Sequence, residues 1–219
     1  MTVSSRLVVG ILAVSTLAIT LTGCTADEAE PESSTTPTAE TADDSGLSFA
    51  QGNELSNDVD AAPVFLNGFA DADSGWTEQD GTNADEGIWY YATDDGTCSV
   101  NLAQVVADDD SFELVAGDDR TSSVNVLSWF YRDNEDLATQ IADAATDATL
   151  PFGTDWALDE PGTDFMGVSA QTDAGAFATY ARAFGVPKVA LVVELTCDTS
   201  EAFDTHSEDA LMASAVITS

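Results

Sequence analysis

His206 is the only histidine in the chain, so every Ser-His-Asp, Cys-His or histidine acid-base scheme would have to run through it. Its setting, Asp204-Thr205-His206-Ser207-Glu208-Asp209, fits a capping box in which Thr205 and Glu208 open a helix, which predicts a solvated histidine at a helix start. No Gly-x-Ser-x-Gly elbow supplies a matching nucleophile. Neither Gly-x-x-x-x-Gly-Lys nor Gly-x-Gly-x-x-Gly follows a candidate strand, so no nucleotide cofactor is expected. One histidine with Cys98 and Cys197 falls short of a four-ligand zinc site unless carboxylates are recruited.

Carboxylates are plentiful. Asp and Glu number 40 against 5 Lys and Arg, a formal net charge of −35. So many acids define no particular pair for glycoside cleavage, because separation in sequence does not report distance in space. Calcium takes carboxylate and carbonyl oxygens, and the best candidates are Asp71-Ala72-Asp73-Ser74-Gly75, Asp108-Asp109-Asp110 and the Asp94-Asp95 turn. None fits the twelve-residue calcium loop, because Trp76 stands where glycine is needed. These segments read as solvated turns, and no metal is expected. Trp76, Trp89, Tyr90, Tyr91, Trp129 and Trp156 offer either core packing or a stacking platform for sugars or peptides. On one strand Trp89 and Tyr91 must face away from Ile88 and Tyr90, so one of the two sets could stay exposed.

The acidic balance repels phosphate backbones and anionic headgroups, which excludes nucleic-acid binding and adsorption through a basic patch. A charged partner should be cationic. Apolar residues still make up 44% of the chain, so the acids decorate a globular core.

The N-terminus passes from a lone Arg6 into an uncharged stretch ending Leu21-Thr22-Gly23-Cys24-Thr25. Charged-then-apolar order is that of a secretory signal, too short and too Thr/Ser-rich for a retained span. Leu21-Thr22-Gly23-Cys24 resembles the lipobox of bacterial lipoproteins. That resemblance implies cleavage after Gly23 and a diacylglyceryl thioether on Cys24, with the protein held at the extracytoplasmic face of the cell membrane. Loss of Arg6 takes the formal charge from −35 to −36. Once Cys24 is acylated, two cysteines remain in an exported domain, and the even count argues for a Cys98–Cys197 disulfide. Cys98 opens one expected strand and Cys197 closes another.

Residues 1–23 are thus the expected signal peptide. Residues 24–48 are a lipidated cysteine followed by an acidic Ser/Thr/Pro linker that carries no aromatic residue and cannot bury enough surface to fold. Residues 49–219 are one globular domain. Ile88 to Thr93 and Cys98 to Leu102 read as a hairpin around Asp94-Asp95-Gly96-Thr97. Phe165–Gln171, Ala176–Phe184 and Val189–Thr196 read as three further strands. The unalternating Ala190-Leu191-Val192-Val193 suits a central strand covered on both faces. Val124, Leu127 and Tyr131, then Leu137, Ile141 and Ala144, fall at helical spacing with a break near Asp133-Asn134. Leu211, Met212 and Ala215 mark a closing helix.

The expected class is α+β, an antiparallel sheet packed with helices as an α/β/α sandwich. Its element order is similar in outline to the PsbP-like domains of small actinobacterial lipoproteins, a resemblance that implies the sandwich and no catalytic motif. The function expected is an acidic binding or interaction domain, tethered to the membrane by lipid, for a cationic, peptide or carbohydrate ligand. A carboxylate-dependent secreted hydrolase and a structural or stress-related acidic surface protein are the alternatives.

Overall fold

The computed structural model describes residues 46–108, 111–153, 162–172 and 174–218. In chain order the elements are β1 (Val64–Phe65), β2 (Trp76–Glu78), β3 (Ile88–Thr93), β4 (Cys98–Val106), α1 (Asp119–Phe130), α2 (Glu135–Ala144), β5 (Thr146–Leu150), β6 (Thr163–Thr172), β7 (Gly175–Phe184), β8 (Val189–Cys197), α3 (Ser200–Ala213) and β9 (Val216–Ile217). Seven strands form one antiparallel sheet in the order β2-β3-β4-β8-β7-β6-β5. β1 and β9 pair separately. This is the expected α+β class.

The two-residue period of β8 builds two cores at once. Val189, Leu191, Val193 and Leu195 join a cluster that includes Phe203 and Ala210 of α3. Ala190 and Val192 point the other way, into a cluster with Val126 and Leu127 of α1 and Ile141 of α2. A strand buried on both faces reads as an apolar run, and β8 is the fourth of seven strands, as its sequence predicts.

Local chemistry sets the helix ends. The Asp118 carboxylate accepts from the Thr121 amide at 2.9 Å and starts α1. Asn134 accepts from the Leu137 amide at 3.2 Å and starts α2, so the expected break falls between Tyr131 and Asn134. Ala138 is buried on α2 in place of the expected Ala144, which is exposed.

Three expectations need correction. Thr199, not Thr205, caps α3 by accepting from the Ala202 amide at 3.1 Å. Thr205 lies inside the helix and its hydroxyl bonds back to the Glu201 carbonyl at 2.8 Å, which is the other use of a threonine in a helix. Met212 is 40% exposed, while Leu211 packs against the core and Ala215, just past the helix, is buried as expected, with Phe203 and Ala210 adding the helix's own buried positions. Finally, the ordered fold reaches past Phe49 to Leu47 and Ser48. The Leu47 amide donates to the Gly162 carbonyl, its carbonyl accepts from the Asp164 amide, both at 3.1 Å, and its side chain is in the core.

Among the described residues no helix is long and apolar enough to cross a membrane.

Candidate binding site

Helix α1 lies across β6, β7 and β8, and its C-terminal turn presents residues in two directions. Trp129 and Arg132 point to the outer side, where they line a cleft of about 430 Å3 with Phe112, Glu113, Asn125 and Glu135. Tyr131 points inward to the sheet. Asn125 and Trp129, four residues apart, share one helical face, while Tyr131 is the C-cap of the helix and Arg132 follows it in the turn.

In the cleft the Arg132 guanidinium sits over the Trp129 ring, 4.3 Å from its centroid, and donates to the Trp129 carbonyl at 3.1 Å. Phe112 meets Trp129 edge-on at 5.8 Å, and the Asn125 amide donates to the Glu113 carbonyl at 2.9 Å, fixing the rim. The Trp129 indole nitrogen is buried with no hydrogen-bond partner. An aromatic wall, a planar cation and an amide suit a ligand that both stacks and accepts hydrogen bonds. Glu113 and Glu135 are exposed at the rim of the cleft.

On the inner side the Tyr131 hydroxyl donates to Glu194 Oε1 at 2.9 Å and lies 2.5 Å from the Thr179 hydroxyl. A phenol has one proton, so while Glu194 is ionised Thr179 must be the donor to Tyr131. Asn101 completes the group with a side-chain bond to Glu194, and its own Oδ1 is buried without a partner. Burial pushes the Glu194 carboxyl above the usual carboxylate range, against the bonds from Tyr131 and Asn101. Burial first, then the charge of Glu194, pushes the Tyr131 phenol up. The register brings the three sheet residues together, because Asn101 and Thr179 are the partners of Glu194 on either side.

The residues singled out in the sequence fare differently. Cys98 and Cys197 are register partners on β4 and β8 and are joined by a disulfide. Cys24, Asp109, Asp110 and Trp156 lie outside the described residues. His206 is not a solvated cap. It is half-buried on α3, with its ring edge-on to Trp76 at 6.1 Å. The aromatic residues divide between surfaces: Phe69 stacks on Tyr91 and meets Trp76 edge-on, both at 5.2 Å, inside the α3-side core. Tyr90 points to the opposite face and Trp129 belongs to the cleft. Asp94 and Asp95 serve the hairpin turn: Asp94 accepts from Thr77 at 2.9 Å, and Asp95 accepts from the hydroxyls of Thr93 and Thr97, each at 2.7 Å. Among the described residues no three His, Cys, Asp or Glu side chains are grouped to hold a metal ion.

Sequence reasoning missed Glu194. The only available signal was an acid interrupting the apolar run of β8, where a carboxylate is costly unless it is hydrogen-bonded.

No family model matches the chain, and no curated protein matches it. Two solved structures are similar at low level. One is a crystal structure from Bacteroides thetaiotaomicron VPI-5482, 11% identical, with a TM-score of 0.33, covering 66% of this chain and 42% of that one. The other is the solution structure of cyanobacterial PsbP (CyanoP) from Synechocystis sp. PCC 6803, also 11% identical, with a TM-score of 0.28, covering 73% of this chain and 94% of that one. The chain spans less than half the length of the Bacteroides protein. The α+β assignment therefore rests on the sheet and its helices.

Proposed function

We propose that this protein is a lipid-anchored extracytoplasmic binding module whose ligand surface is the C-terminal end of α1. The single observation that carries the binding reading is the cleft in which Arg132 stacks on Trp129. Its cation is one of five bases against 40 acids, and it is placed on an aromatic ring rather than spread over the acidic surface. Export is supported by the Cys98–Cys197 bridge, since disulfides persist in oxidising compartments, and by the lipobox-like Leu21-Thr22-Gly23-Cys24. A PsbP-like sandwich presented on a lipidated tether is the finer form of the same proposal.

Two arms test the reading. Cys24→Ala should abolish fatty-acid labelling and release from membranes the chain that wild type retains; labelling that persists would sink the anchor. Native capture from intact envelope, with bound small molecules and peptides identified by mass spectrometry, should recover a defined species with wild type. Trp129→Ala with Arg132→Ala should lose that species, and equal recovery by this variant would remove the cleft from the binding surface.

A further inference from the structure

The cleft at the end of α1 mixes hydrogen-bond donors and acceptors. A guanidinium has five N–H groups, and Arg132 spends one of them inside the protein, on the Trp129 carbonyl. The Asn125 amide nitrogen is taken by the Glu113 carbonyl, which leaves the Asn125 side-chain oxygen as an acceptor. Among the described residues the Ser128 hydroxyl, in the same lining, has no hydrogen-bond partner. Glu113 and Glu135 add two exposed carboxylates. The apolar share comes from Phe112, Trp129 and Ala138, and the space of about 430 Å3 is that of a small-molecule site.

Each class of ligand meets this lining differently. An anion can pair with Arg132, but it must stand beside Glu113 and Glu135 on a chain of net charge −35, whose field repels it. A cation meets Arg132 here and gains nothing from this cleft that the other acids among the chain's 40 do not offer. A purely apolar ligand leaves the donors and acceptors of the lining desolvated and unpaired. A neutral polyol avoids all three costs, because every hydroxyl is donor and acceptor at once. A closed ring adds an apolar C–H face for the aromatic side chains. It also holds its hydroxyls in fixed directions, so less freedom is lost on binding than with an open chain.

Resting on the reading of this cleft as the binding surface, we propose that its ligand is an uncharged pyranose ring of a saccharide. Arg132 and Ser128 donate to the ring's oxygens, Asn125 and Glu135 accept from its hydroxyls, and Phe112 and Trp129 carry its C–H face. Recognition of a neutral ring contains no charge pair for salt to screen, which separates it from the general acidic field of the chain.

The full-length chain, in micelles of a detergent without a sugar headgroup, is titrated by saturation-transfer NMR with methyl β-D-glucopyranoside, methyl β-D-galactopyranoside and methyl α-D-mannopyranoside. At least one ring is expected to bind saturably, with less than a twofold change in affinity between ~50 and ~500 mM salt. The uronate and 2-ammonio derivatives of that ring, sorbitol as the open chain and cyclohexanol as the apolar ring should each bind at least tenfold more weakly. Arg132→Met keeps the aliphatic stem of an exposed residue and removes its donors, and should weaken binding at least tenfold. Ser128→Phe, which fills the cleft, should do the same, while Asp143→Asn, at an exposed acid on α2, should stay within twofold of wild type. The proposal is overturned if none of the three rings binds, if a charged derivative, sorbitol or cyclohexanol binds as tightly, or if either cleft variant binds like wild type. Silence of all three rings while envelope capture still depends on Trp129 and Arg132 overturns the saccharide assignment alone. If capture is also independent of those two residues, the reading of the cleft as a binding surface falls with it.

Discussion

Asp119 and Arg182 face each other at 3.5 Å with both side chains wholly withdrawn from solvent. Asp119 also accepts from the Gly185 amide at 3.0 Å. Arg182 donates to the carbonyls of Ser48 at 2.9 Å and Asp164 at 3.3 Å, and Phe49 and Phe184 bracket its guanidinium at 4.3 and 4.9 Å. Burial pulls the guanidinium down to about 10, which leaves it charged at neutral pH. Burial also pushes the Asp119 carboxyl up. The segment running from Leu47 to Gly52 closes over this pair, so the start of the described fold is the seal of a buried charge.

Breaking such a pair from one side strands the other charge. Asp119→Ala should destabilise the protein by about 3–5 kcal/mol, and Asp119→Ala combined with Arg182→Met should be more stable than the single variant, because an apolar replacement removes both desolvated charges. Urea unfolding measures the two. A double variant less stable than the single would show that the bonds from Arg182 to Ser48 and Asp164 outweigh the charge.

Gly52 is held for lack of space. A Cβ there would collide with Asp119 Oδ2 and lie 2.7 Å from Arg182 Nη2. Gly52→Ala should therefore cost about 1–3 kcal/mol, the range for overpacking, and should speed hydrogen exchange at the Leu47 and Asp164 amides. Wild-type stability together with unchanged exchange would mean that the segment does not seal the pair.

The bridge between β4 and β8 closes a sequence separation of 99. Its loss through Cys98→Ala with Cys197→Ala should cost about 2–5 kcal/mol in unfolding experiments. Thiol titration of the denatured, unreduced chain should find neither of these two cysteines reactive; two reactive domain thiols would contradict the bridge.

Two carboxyls should leave opposite marks on stability against pH. Asp95 is held down to about 2, first by the Thr97 amide and hydroxyl and then by the Thr93 hydroxyl. Its folded value lies below the unfolded one, so its contribution is present above the ordinary range and is lost as pH falls through about 2. Asp95→Asn should flatten the acid limb of the curve. Glu194 is raised by burial, so the folded chain keeps that proton longer than the unfolded one and stability declines as pH rises through its titration. Glu194→Gln should flatten the curve above the ordinary carboxylate range. Unfolding midpoints taken from pH 2 to pH 7 would expose either sign as wrong.

The long strands of the sheet were legible because their signal is local. Alternation in Cys98–Leu102, the Asp94-Asp95-Gly96-Thr97 turn and the apolar run of Ala190–Val193 each report the environment of a strand within a few residues. β2 and β5 were not legible, since three and five residues at the two edges of a sheet carry little period. The cap of α3 was misplaced because Thr199 and Thr205 both precede helix-forming residues. A hydroxyl can accept from the backbone at a helix start or donate back to it within the helix.

Composition and spacing alone determined the acidic character, the α+β class and two cysteines that could pair. Only the tertiary structure decided which residues of distant segments meet. Register puts Glu194 between Asn101 and Thr179, and the turn after α1 brings Tyr131 onto it. A fold around β7 lowers Ser48 and Phe49 onto Arg182, across 134 positions in the case of Ser48. Those meetings depend on strand order and helix placement, which arise from burying two core faces at once, and no local pattern along the chain encodes them.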